Sequence, residues 1–221
     1  MMRKNWVWPF LVALALAGCG SDKEETEIFD LARSALPGGK ANEDSQPAAK
    51  DLGLTRAFLA TLSKPVDLIT MENSGAQAVI AKIETNDGVE TWSSVNNRTF
   101  ALRQKIVTAT RGLGVDLISS AVPSQRQVST DGGSHRRMHV VLGDNDRVTR
   151  TYYDCQVRAL GDEALSFVER SYRTRRFQEV CNGPDGGFRN DYWFQIGGTL
   201  RQSRQFIAPG AGYVSIRHLT D

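Results

Sequence analysis

Residues 79–97 read VIAKIETNDGVETWSSVNN, and their spacing decides the fold. Val79, Ala81 and Ile83 alternate with Ile80, Lys82 and Glu84, the period of two that a strand needs to send successive side chains to opposite faces. Asn86, Asp87 and Gly88 supply a tight reversal, 89–93 resumes the pattern, and Asn96 and Asn97 mark the next turn. Working outward, the same grammar recurs at 137–142, 148–158, 163–180, 189–196, 200–208 and 212–219, broken by turn-forming residues at 143–146, at Gly161 within 159–162, and at 182–187. Leu54, Ala57, Phe58 and Leu62 have helical spacing and stop before Pro65. The spacing predicts a mainly β chain of roughly nine or ten strands, an antiparallel meander forming a curved sheet, sandwich or partly closed barrel behind one or two short N-terminal helices.

The N-terminus has a different character. Arg3 and Lys4 precede an apolar stretch over 6–17, and Leu16, Ala17, Gly18 and Cys19 resemble the lipobox of bacterial lipoproteins. That resemblance implies cleavage before Cys19, removal of 1–18 as a signal peptide, and a triacylated thiol that anchors the chain on a membrane rather than in it. Gly20 and Ser21 follow instead of the Asp that retains enterobacterial lipoproteins at the inner membrane, so the expected location is the periplasmic face of the outer membrane. Ser21 and Glu24 are spaced as a capping box ahead of Ile28, Leu31, Ala32, Ala35 and Leu36, an amphipathic helix stopped by Pro37, Gly38 and Gly39. Residues 38–51 are a polar linker. The division is therefore 1–18 signal peptide, 19–51 lipidated N-terminus with helix and linker, and 52–221 a single β-rich domain.

Composition narrows the function. The 221 residues carry 27 Lys and Arg against 25 Asp and Glu, and the mean hydropathy of −0.35 with one long apolar run excludes a polytopic membrane protein. So small a charge excess gives no footprint for nucleic acid. All 15 basic residues of 106–221 are arginines, a set expected to be solvated or paired across strands rather than gathered for an anionic polymer. In an exported chain the remaining thiols, Cys155 and Cys181, meet an oxidising compartment and are expected to pair, adding about 3 to 4 kcal/mol of stability in the chain-entropy model. If 159–162 is a tight turn, Phe167 and not Cys181 faces Cys155, and the bridge must reach a later strand or loop edge.

No catalytic constellation emerges. Gly112 and Gly114 lack the third glycine and the βα repeats of a dinucleotide site. His135 and His139 share one face of a strand but have no third ligand, so neither metal nor cofactor is expected. Carboxylates are scattered, and no nucleophile elbow is present. Trp193, beside Asp191 and Gln195 on the polar face of its strand, and Trp92 after Glu90 and Thr91, are candidate platforms for a sugar ring or a partner.

Thr91, Trp92, Ser93, residues 98–102, Ile106, Val107 and above all 110–119, TRGLGVDLIS, resemble the signature of the group 4 capsule polysaccharide lipoproteins of the YjbF and GfcB type. The similarity reaches the two downstream cysteines and the ending 212–219, and departs at Gln104 and Lys105, where a turn glycine is expected. It implies a non-enzymatic β-rich lipoprotein supporting export or assembly of exopolysaccharide or capsule, with the polymer, an outer-membrane β-barrel export protein, or both as partners. Within the block, Gly112 and Gly114 permit a turn, Asp116 is placed to cap a following helical turn, and Arg111 and Asp116 are expected to pair with each other or to face a glycan. Two rival readings remain: a lipid carrier, which requires a large apolar cavity, and a glycan-modifying enzyme, which requires two convergent carboxylates.

Overall fold

In the computed structural model, which describes residues 52–142 and 147–220, the period-two segments become twelve antiparallel strands rather than nine or ten. Cys19, the first amphipathic helix, the linker and the turn expected at 143–146 lie outside the described residues. The strands are β1 (Val66–Met71), β2 (Gln77–Asn86), β3 (Val89–Ser94), β4 (Thr99–Arg103), β5 (Ile106–Arg111), β6 (Leu117–Ala121), β7 (Ser134–Leu142), β8 (Val148–Phe167), β9 (Arg170–Gly183), β10 (Gly186–Gln195), β11 (Leu200–Ala208) and β12 (Gly212–His218). Neighbours in space are neighbours in sequence except where β1 pairs with β12, with Ile69 opposite Ile216. β5 and β6 end the order β5-β4-β3-β2-β1-β12-β11-β10-β9-β8-β7-β6, yet they lie against each other, so the sheet curls into a nearly closed barrel.

Alternation fills the barrel. Ile80, Trp92, Phe100, Leu102, Leu117, Ile207, Val214 and Ile216 interdigitate inside, each aliphatic side chain worth about 1.5–3 kcal/mol for leaving water. A second layer covers part of the outer face. The helix α1 (Arg56–Leu59), shorter than the pattern over 54–62 suggests, is capped by Thr55, whose Oγ1 accepts the Phe58 N–H at 3.1 Å. It lays Leu59, with Leu54, Phe58 and Leu62 around it, on Val66, Leu68, Ala81, Phe167 and Tyr172.

The reversal expected at 159–162 does not occur there. β8 runs through Gly161, whose φ of +103° and the register shift between Ala159 and Gly161 mark a bulge. The chain turns instead at Val168 and Glu169, with φ of 45° and 58°. Residues with a Cβ are strained in that region, and Arg56 holds them there. Its Nε donates to the Val168 carbonyl at 2.8 Å, and its backbone N–H to Glu169 Oε2 at 3.0 Å. With the turn moved, Cys155 stands directly opposite Cys181 on the adjacent strand, and the two are joined. The expectation that the bridge must reach a later strand or loop edge fails with the turn on which it rested.

Candidate functional site

The block 110–119 forms the seam of the barrel. Gly112 and Gly114 take φ of +85° and +94°, the left-handed backbone only glycine adopts cheaply. Asp116 ties the loop from within: Oδ2 accepts the Gly112 N–H at 2.9 Å, and Oδ1 accepts the Thr110 hydroxyl at 2.8 Å and the Leu113 N–H at 3.3 Å. It therefore caps the turn before it, where a helical turn after it was expected, and β6 follows at once. Arg111 does not pair with Asp116 either. Its Nη1 donates to the carbonyls of Thr110 at 2.5 Å and Leu117 at 3.3 Å, and its Nη2 reaches the Ile118 carbonyl at 3.5 Å. Thr110 Oγ1 accepts the Leu117 N–H at 3.0 Å, so two side chains of β5 bond to the backbone of β6. From across the barrel, Gln205 Oε1 accepts the Val107 N–H at 3.0 Å and its Nε2 donates to the Lys105 carbonyl at 3.2 Å. Side chains thus satisfy edges that would otherwise offer bare backbone to another chain. The β4–β5 hairpin closes on Gln104 and Lys105 themselves, at φ of 49° and 63°, in place of the expected glycine.

The clasped loop puts Val115 in the wall of a cleft of about 360 Å³ at the rim of the barrel. β7, β8, β10 and β11 bring His139, Tyr153, Phe188 and Phe206 to the same wall. The rings of His139, Phe188 and Phe206 are nearly parallel, with centroids 5.2 Å apart for His139 and Phe188 and 4.9 Å for Phe188 and Phe206, while Tyr153 meets Phe188 edge-on at 4.8 Å. Thr149, Thr151 and Asp185 supply the polar part of the lining. Burial raises the Tyr153 phenol, a hydrogen bond with Thr151 opposes that, and the charge of Asp185 adds to it, so the phenol keeps its proton.

Two residues along β7 the barrel interior becomes charged. Glu179 is fully buried, and its carboxylate accepts Arg137 Nε at 2.6 Å, Asn190 Nδ2 at 2.7 Å and the Tyr192 hydroxyl at 3.1 Å, with His135 Nε2 at 2.5 Å. Burial pushes the carboxyl up, but Arg137 and the hydrogen bonds outweigh it and hold it at about 2. Burial, then the Arg137 charge, pushes His139 the other way, from 6.5 down to about 3, so its ring is neutral and its Nδ1 has no hydrogen-bond partner.

A depressed histidine makes the fold acid-sensitive. The neutral ring is the one the fold accepts, so stability is complete above 6.5 and falls as pH drops toward 3, ahead of the loss from Glu179 between 4.5 and about 2. Moving from pH 7 to pH 5 is expected to cost about 2 kcal/mol through His139. Urea midpoints at the two pH values should show a clearly smaller drop for His139→Phe than for the wild type; an equal drop in both would remove His139 as the cause.

The donor atoms of His135, Cys155 and Glu179 lie within 4.8 Å of one another. Cys155 is spent in the disulfide and Glu179 is taken up by its donors, so the set does not suit a metal ion. Trp92 and Trp193 are 3% and 6% exposed, and neither offers a free face. Trp92 lies inside the barrel. Trp193 shares the outer face with Asp191, as the alternation requires, but Arg176 covers its ring at 4.8 Å and its Nε1 donates to Glu163 at 2.9 Å. Tyr192 and Phe194 face inward, whereas Ile196 at the strand's end is exposed. Several arginines are paired between elements, Arg136 with Asp154, Arg175 with Asp162, Arg176 with Asp191 and Arg204 with Glu72. Of the cleft aromatics only His139 was singled out in the sequence; Tyr153, Phe188 and Phe206 come from strands far apart in the chain and carry no local mark.

Fold and cleft together define a small antiparallel barrel-like domain, closed at its seam by side chains and open at its rim. The chain belongs to the group 4 capsule polysaccharide lipoprotein family, described as gfcB and YjbF, whose model matches residues 27–219. The crystal structure of the hypothetical lipoprotein YmcC from Escherichia coli (K12) has the same fold, with a TM-score of 0.71 at 18% identity over 91% of this chain and 97% of that one. No curated protein matches the sequence. Membership in a lipoprotein family implies a membrane-anchored location.

Proposed function

We propose that the protein is a lipoprotein on the periplasmic face of the outer membrane that supports export or assembly of an exopolysaccharide or capsule and catalyses no reaction itself. The family match over 27–219 carries this reading, and the lipobox at Cys19 supplies the anchor. Among the described residues lining the cleft, Asp185 is the one carboxylate, and Glu179 is held by its donors, which speaks for support rather than glycan chemistry. The charged network at mid-barrel, where a lipid carrier needs an apolar cavity, speaks against an acyl-chain store. The polymer, an outer-membrane β-barrel export protein, or both are the partners this role requires.

Deleting the gene is expected to lower surface and released polysaccharide per cell, with rescue by the wild type and not by Cys19→Ala. Unchanged polysaccharide, under conditions where the wild type makes it, would sink the proposal.

A further inference from the structure

The cleft has features that packing alone does not require. Tyr153 and Phe206 are only half-buried, so aromatic surface stays open at the rim of the barrel. Hydroxyls of Thr149 and Thr151 and the carboxylate of Asp185 stand around that surface. The volume of about 360 Å³ falls in the range of small-ligand sites, about 300–1,000 Å³.

From this geometry we infer that the rim cleft binds one sugar ring of a polysaccharide, by stacking on Tyr153 and Phe206 and by hydrogen bonds to Thr149 and Asp185. A pyranose has an apolar face of C–H bonds and an equator of hydroxyls, and it needs a flat aromatic wall with donors and acceptors at the edge. A threonine hydroxyl both donates and accepts, and a carboxylate accepts from hydroxyls. Asp185 repels acidic sugars, so the ring is a neutral or amino sugar. The Gly112–Asp116 loop enters through Val115: by fixing that side chain, the clasp at the seam shapes one wall of the site.

This assignment rests on the export reading, and its test separates the two. The probe is the polymer exported by the same strain, cut to short oligosaccharides by partial acid hydrolysis. It is titrated into the full-length lipidated protein in detergent micelles, with saturation-transfer NMR to locate the contacting protons and calorimetry for affinity. Thr149 and Asp185 are exposed, so the pair Thr149→Val and Asp185→Asn is expected to keep the circular dichroism of the wild type while weakening binding about tenfold. Phe206→Ala is expected to lose at least as much, and Trp193→Phe, outside the cleft, to bind as the wild type does. Failure of the wild type to bind, or equal affinity in the rim variants, overturns the assignment. So does carbon-13 palmitate that binds the wild type and is released by Phe206→Ala. If deletion abolishes export while the oligosaccharides do not bind, the cleft assignment falls and the export reading stands. If they bind at the cleft while deletion leaves export unchanged, the site stands and the export reading falls.

Discussion

Replacing Glu179 with Ala is expected to destabilise the domain by about 3–5 kcal/mol, a large part of the stability a single domain has. The variant removes one carboxylate and leaves Arg137 buried, its Nη2 bonded to the Tyr192 hydroxyl at 2.7 Å and its charge unopposed. Asn190 Nδ2, which donates to Glu179, loses that partner in the same step. Most of the cost is the stranded guanidinium, not the worth of the pair. The double variant Glu179→Leu with Arg137→Met should therefore recover much of the loss, because apolar side chains of similar volume replace both ions. Urea unfolding of the wild type, Glu179→Ala and the double variant measures the difference. A single variant within about 0.5 kcal/mol of the wild type would show that water reaches the site and that the network is not a dry one.

The alternation that the sequence displays at 79–93 is that of β2 and β3 up to Lys82, where a bulge at Ile83 interrupts it, and the Asp87–Gly88 reversal sits where the letters put it, at φ of 47° and 70°. Legibility ends where a turn is held by something distant. Val168 and Glu169 carry no turn signal, since their left-handed backbone is fixed by Arg56, more than a hundred residues away. Gly161 carries a strong one, yet serves as a bulge. Gln104 and Lys105 adopt the same unfavourable φ while α2 (Gln125–Val128) and Gln205 hold their carbonyls: Gln125 Nε2 donates to the Gln104 carbonyl at 2.9 Å. The face of Trp193 was legible, but the Arg176 that covers it was not, because period two tells which face a residue takes and nothing of what lies over that face. The signature block was recognisable as a block, while its work, bridging β5 to β6, depends on a barrel closure that no local pattern encodes.

Breaking the bridge between Cys155 and Cys181 is expected to cost about 3.5 kcal/mol in the chain-entropy model for a loop of 26 residues. For a domain of this size that lowers Tm by roughly 7–14 °C. The two cysteines are buried with Phe188 between the cleft aromatics and the Glu179 network, so the bridge ties β8 to β9 at the level where the interior changes from apolar to charged. The unfolded chain gains most from its removal, and the native contacts of Phe188 and Tyr153 should survive it. Cys155→Ala with Cys181→Ala is therefore expected to fold with an unchanged circular dichroism spectrum but a lower urea midpoint, and the wild type treated with reductant should match it. The compartment enters through the same number. A chain held in the cytosol by loss of residues 1–18 meets a reducing environment and should show the variant's midpoint, whereas one exported past Cys19 should show the bridged value. Equal midpoints for oxidised and reduced protein would mean that the strand pairing alone fixes β8 against β9, and that the bridge records where the protein folds without being needed for its stability.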